Sequence, residues 1–85
     1  MDSDVFASYL TSTGTAVANK SRAKSAFLTG TGTATFRDGG ASGTVRLTLN
    51  STGSASVIIP ENGILFNTDM HVTIAGHTAI TVFWG

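Results

Sequence analysis

Apolar and polar side chains alternate in steps of two along most of this chain, and most regularly at its C-terminal end. In the stretch 63–85, GILFNTDMHVTIAGHTAITVFWG, Met70, Val72 and Ile74 alternate with His71, Thr73 and Ala75. After Gly76 and His77 the pattern resumes, with Ile80, Val82 and Trp84 against Thr81 and Phe83. Successive side chains on a strand leave opposite faces of a sheet, so a period of two predicts half-buried strands at about 70–75 and 79–84. A short strand at Ile64, Leu65 and Phe66 leads into them. This stretch holds most of the large apolar side chains and the only Trp, so the rest of the chain is expected to pack against it.

The same period recurs upstream. Asp4 to Leu10 sets Val5, Ala7 and Tyr9 against Phe6, Ser8 and Leu10, which suits a first strand, although Ala, Ser and Leu also permit a helical turn. A Thr/Gly linker over 11–19 has room for a brief strand near Thr15 to Ala18. Ser21 to Thr29 predicts a strand with Ala23, Ser25 and Phe27 on one face and Arg22, Lys24, Ala26 and Leu28 on the other. Another is expected from about Thr33 to Arg37. Asp38, Gly39 and Gly40 then supply the positive-φ positions of a tight reversal, so a hairpin follows. Its return strand, Thr44 to Asn50, places Val45, Leu47 and Leu49 inward and Arg46 and Thr48 outward. Ser51, Thr52 and Gly53 turn the chain into Ala55 to Ile59, with Val57 and Ile59 toward the core. Pro60, which has no N–H for a ladder, and the Asn62–Gly63 pair end that strand.

About eight short antiparallel strands with frequent turn signals predict an all-β single domain over 1–85, a small β-sandwich or jelly-roll-like barrel. Composition agrees, since Thr, Ser, Ala and Gly dominate the first half while long helix formers are scarce. At 85 residues the chain buries only roughly 60–65% of its unfolded surface. Domains this small usually add disulfides, a metal or neighbouring subunits. With no Cys, disulfides and Cys-built zinc sites are excluded. A regular β core helped by self-association is the expectation that remains.

Charge is sparse and balanced, five basic residues against five acidic ones. A nucleic-acid partner is not expected, because phosphate binding draws on a basic excess. No membrane association is expected either, since no run approaches the ~18 apolar residues of a transmembrane helix. The N-terminal residues MDSDVFASYL lack the basic region and apolar core of a signal peptide, which predicts a protein made without export.

Candidate chemistry is thin. His71 and His77 would need Asp69 or Glu61 to complete a metal site, and nothing in the spacing enforces it, so both are read as surface or interface polar residues. Ser and Thr are abundant, but no Gly-x-Ser-x-Gly elbow marks a nucleophile. Gly30-Thr31-Gly32 is a fragment of a phosphate-loop pattern with no helix behind it. No catalytic residue, cofactor or metal is therefore expected, and no enzyme. Two groups suit an interface instead. Lys20, Arg22 and Lys24, at steps of two, would form a basic stripe on a strand, either docking on an acidic surface or guarding a sheet edge. Phe6, Tyr9, Phe83 and Trp84, near the two termini, carry the bulk that interface anchors use.

The segments FRDGGASGTVRLTL (36–49) and IPENGILFNTDMHVTIAGHTAITVFWG (59–85) carry a resemblance. They are similar to small structural proteins of tailed bacteriophages, common in marine and cyanobacterial phages. Those sequences share R/K-D-G-G, S-G-T before an apolar strand, I-P-x-x-G-I-x-F-x-T, and a closing H/Y-V-T followed by V-F-Y/W-G. The similarity covers roughly the last 50 residues. Trp84 stands where Tyr is more usual before the final Gly. The resemblance implies a virion component made in the host cytoplasm, with no catalytic residues to transfer. The first expectation is a capsid decoration or cement protein on the head surface, bound to the major capsid protein as a dimer or trimer with itself. A tail or neck subunit is the alternative. A carbohydrate-binding module, built on Trp84, Tyr9 and Asn67, is a third.

Overall fold

The computed structural model describes residues 6–59 and 63–85, and these are all strand and turn. Nine strands follow one another: β1 (Phe6–Leu10), β2 (Gly14–Val17), β3 (Ser21–Thr29), β4 (Thr31–Asp38), β5 (Thr44–Thr52), β6 (Ala55–Ile58), β7 (Ile64–Phe66), β8 (Met70–Ala75) and β9 (Ala79–Trp84). The predicted turn at Pro60, Glu61 and Asn62 and the first residues of the Asp4 segment lie outside the described residues. From Phe6 onward that segment is strand, not helix.

The topology follows from a ribbon folded back on itself. β4 pairs with β5 across the Asp38–Gly43 reversal, β3 with β6, β2 with β8 and β1 with β9, all antiparallel. Wrapping this ribbon brings β9 against β3 and β8 against β4. The result is two sheets, ordered β1-β9-β3-β6 and β2-β8-β4-β5, with β7 added to the first beside the start of β3. With β7 set aside, this is the strand order of a jelly roll, the two-sheet solution in which paired Greek keys bury one face of every strand. We call the sheets A and B.

The core fills the space between them. Ala23, Ala26, Leu28, Phe66, Ile80 and Val82 come from sheet A, and Val17, Ala34, Phe36, Leu49, Met70 and Val72 from sheet B. Small Ala residues on β3 and β4 leave room for the Phe36 and Phe66 rings, whose centroids lie 6.4 Å apart across the two sheets. The alternation over 70–75 and 79–84 thus does what the sequence predicts.

Two bulges overturn the predicted faces of the strands that carry them. A bulge opposes two residues on one strand to one on its partner and so switches which parity points inward. On β3, Ala23 pairs with Trp84 and Ser25 with Phe83, so Lys24 is the extra residue. Ala23 is buried before the bulge and Ala26 and Leu28 after it, while Phe27 is turned out, 41% exposed. On β5 the register slips between Phe36 and Arg37, whose partners are Leu47 and Val45. Val45 therefore leaves the core it was expected to join and lies exposed. β4 also begins earlier than predicted, at Thr31, and β5 runs on to Thr52.

Gly63 shows why one turn needs a particular residue. Its φ of 86° lies in the left-handed region, and a Cβ there would run into the Ala23 carbonyl oxygen. Only glycine serves both demands. It delivers β7 alongside β3, with Ile64 opposite Ala23.

Candidate functional site

Sheets A and B present different outer faces. On sheet B the outward positions of β2, β4, β5 and β8 include Thr15, Thr31, Thr33, Thr35, Thr48, Thr52 and Thr73. Threonine suits a pleated, half-solvated surface, so this face needs no partner. The outer face of sheet A instead sets four large apolar side chains among small and hydroxyl residues. Cross-strand register places Tyr9, Thr81, Phe27 and Ser56 in one row, and Ala7, Phe83, Ser25 and Ile58 in the next. Tyr9, Phe83, Phe27 and Ile58 are thus diagonal neighbours across four strands, within reach of one another's long side chains. Ile58 is 82% exposed and Tyr9 68%, and none of the eight residues carries a charge. Four strands ~4.8 Å apart, paired over roughly five residues each, make this face, Ser and Thr included, on the order of 400 Å². A face of that size is comparable to the largest apolar patches on ordinary monomers, which makes it the candidate interaction surface of this chain.

The four predicted aromatics divide between the two sides of sheet A. Tyr9 and Phe83 belong to the outer face. Phe6 and Trp84 share the opposite parity and stack on each other with centroids 4.8 Å apart, and the Trp84 indole Nε1–H donates to Ser8 Oγ at 2.9 Å. Ser8 Oγ in turn donates to the Ala16 carbonyl at 2.8 Å, so the pair closes the corner between β1 and β2. Tyr9 and Trp84 therefore do not form one platform. Asn67 is in the β7–β8 turn, its amide held by Asp38.

The basic residues are near one another, but a bulge interrupts their stripe. Lys20 is exposed just before β3, Arg22 is paired with Leu65 on β7, and Lys24 is the extra bulge residue. They flank the β7 end of the apolar face. Phe27 and Ile58 are the residues of this face that the sequence pattern does not single out. Phe27 was assigned to the Ala23 face because no bulge was anticipated. Ile58 was passed over in the run Val57-Ile58-Ile59, where only its parity tells it apart.

The histidines correct an expectation. Both are buried, His71 at 8% exposure and His77 at 6%. They also sit at opposite ends of sheet B, since His71 pairs with Arg37 while His77 contacts Ser51, opposite Gly32. Among the described residues no three His, Asp or Glu side chains gather to hold a metal. Ser51 Oγ and His77 Nε2 lie 2.7 Å apart, which resembles a nucleophile and its base. The hydroxyl proton, however, is directed at the Gly30 carbonyl, 3.0 Å away. Both contacts are satisfied together only when Nε2–H donates to Ser51, and that tautomer cannot accept the serine proton. The pair ties the Gly76–His77 turn to β5.

Two carboxylates fasten the opposite end. Asp38 accepts from the Asn67 and Thr68 amides, each at 2.9 Å, and Arg46 lies 3.5 Å from it. Asp69 answers by accepting from the Gly39 and Gly40 amides at 2.9 and 3.0 Å. Each loop's acid thus caps the other loop. The Asn67 amide first, then that of Thr68, holds the Asp38 carboxyl below its ordinary pKa. A depressed folded-state pKa contributes stability above the unfolded value, ~4, which is lost as pH falls through the folded one. Asp38→Asn is expected to lower the melting temperature at pH 7, with the gap to the parent chain narrowing in acid below pH ~4. Thermal melts at both pH values check this, and a gap that stays constant would refute it.

No family model matches the chain, and no curated protein or solved structure matches it either.

Proposed function

We propose that this protein is a non-enzymatic structural component of a tailed-phage virion, a head decoration protein that docks on the major capsid protein through the outer face of sheet A. The observation that carries the reading is the uncharged diagonal of Tyr9, Phe83, Phe27 and Ile58 on an otherwise Thr-rich jelly roll. The fold supports it by analogy, because jelly rolls recur in viral shells, and analogy of fold is weaker than the argument from the face. The absence of charge at the centre, with Lys20 and Arg22 toward one margin, matches the apolar core and polar rim of a protein interface.

Magnitude shapes the mechanism. With Ser and Thr among its residues, about half of this face is apolar, and burying roughly 200 Å² returns about 5 kcal/mol at 25 cal/mol per Å². Association itself costs about 4–15 kcal/mol, so one copy on one site is at best near break-even. Retention on a shell then depends on joining neighbouring subunits, where several weak contacts act together. Such bridging opposes the pressure of packaged DNA. Protein quantification of purified particles tests this. The expected result is a copy number that scales with the number of capsid subunits. Particles that lack the chain would end the proposal, and a ring-sized count would move the protein to the neck or tail.

A further inference from the structure

We propose that two copies of this chain pair edge to edge through β5, antiparallel about a twofold axis centred on Leu49, joining two copies of sheet B into one continuous sheet. The inference rests on a sheet edge, not on the outer face of sheet A, and holds for the chain whatever shell it serves.

Each sheet has two ends. β1 and β2 end their sheets side by side, joined by the Ser8 to Ala16 hydrogen bond. The far end of sheet A is broken between β6, four residues, and β7, three. β5 is different: nine residues long, it pairs with β4 on one side and with no other described strand on the other. A strand edge presents a row of unpaired N–H and C=O groups, and folded proteins guard such edges with Pro, Lys or inward charge. β5 has none of these. Its single cation, Arg46, leans to Asp38 at 3.5 Å. Its one guard is the bulge at Arg46, which leaves 47–52 as regular ladder.

A second copy fits that edge for reasons of register and charge. A twofold perpendicular to the sheet keeps inward residues opposite inward residues. Centred on Leu49, it sets Leu49 against Leu49 of the second copy and Leu47 against Ser51. Thr48 then faces Asn50, and the bulge at Arg46 falls at the very end of the ladder, opposite Thr52. The Leu49 side chains extend one core into the next, Thr48 and Asn50 form a polar cross-strand pair, and no like charges meet. A centre on Thr48 would instead draw the bulge into the ladder, and one on Asn50 would leave Leu47 opposite Gly53. The balanced charge of the chain adds no general repulsion between copies. Area sets the strength: the shared ladder of five residues, 47–51, ~17 Å by the ~10 Å between sheets, offers about 170 Å² per copy. That is under half the ~800 Å² per partner of a standard interface, so the dimer is weak and concentration-dependent.

Sedimentation equilibrium of the recombinant chain from micromolar to millimolar concentration is the test. The parent chain is expected to move from monomer to dimer over this range, with slowed amide exchange over 47–51 in the dimer. Thr48→Lys with Asn50→Lys sets cations opposite each other twice and is expected to weaken the dimer by about tenfold. Thr48→Lys with Asn50→Glu sets Lys opposite Glu twice and is expected to restore it. Both residues are exposed, so melting temperatures near the parent's would confirm that the variants fold. A parent chain monomeric at millimolar concentration overturns the proposal. So does a Lys/Lys variant that dimerises like the parent, or a Lys/Glu variant as dissociated as Lys/Lys.

Discussion

Phe36→Ala is expected to remove a large share of the stability of this chain, about 3–5 kcal/mol, as is usual for deleting a fully buried Phe. A domain of this length holds only about 4–13 kcal/mol in total. Phe36 has no exposed surface, sits between Val72 and Leu47 in sheet B, and meets Phe66 from sheet A at 6.4 Å. Its ring is therefore part of what holds one sheet to the other. The neighbours are fixed in ladders on both sides and cannot collapse far into the space it leaves, so the cavity persists. The natural control is another Phe. Phe27→Ala, on the outer face of sheet A and 41% exposed, is expected to cost only about 1–2 kcal/mol. Urea titration of the two variants checks the contrast. Equal costs, or a Phe36→Ala midpoint near the parent's, would show that the core has been located wrongly.

The two phenylalanines also mark what the sequence could reveal. Phe36 lies between Thr35 and Arg37, whereas Phe27 lies between Ala26 and Leu28, and periodicity alone places Phe27 on the face of Ala23 and Ser25. It is right for Phe36, because β4 runs without interruption through Ala34 and Phe36. It fails for Phe27, because Lys24 is an extra residue that reverses parity for the rest of β3. A bulge of this kind leaves no turn residue behind; it is set by the partner strand, which is distant in sequence. The same holds for Val45, displaced by the slip opposite Phe36 and Arg37. Strand positions were legible because Gly39, Gly40 and Gly63 punctuate the chain with positive φ, and their chemistry is local. The apolar face was legible only in part. Tyr9 and Phe83 stand out as aromatics near the termini, but their alignment with Phe27 and Ile58 exists only once β1, β9, β3 and β6 are in register. The buried histidines were misread for a related reason: His71 and His77 have the spacing of exposed strand and turn residues, and the groups that cover them come from other strands.

Replacing Phe27, Ile58 and Phe83 together by Ser is expected to abolish docking while leaving the fold in place. Truncating a central apolar anchor of an interface costs about 1–2 kcal/mol or more, so three together weaken association by more than about 100-fold. Ile58 is mostly in solvent already, while Phe27 and Phe83, 41% and 36% exposed, lose partial burial of about 1–2 kcal/mol each. The lower strand preference of Ser adds within about 1 kcal/mol per site, and β3 and β9 retain their inward Ala26, Leu28, Ile80 and Val82. Co-sedimentation with heads stripped of the protein separates the outcomes when run beside a thermal melt. A lowered but still cooperative melt with lost co-sedimentation is the expected pair. Replacing Lys20, Arg22 and Lys24 by Ser should instead reduce the salt dependence of docking, because charges at the margin act mainly on encounter. If the triple Ser variant still sediments with heads as the parent does, the outer face of sheet A is not what holds the protein there, and the basic margin takes its place as the candidate.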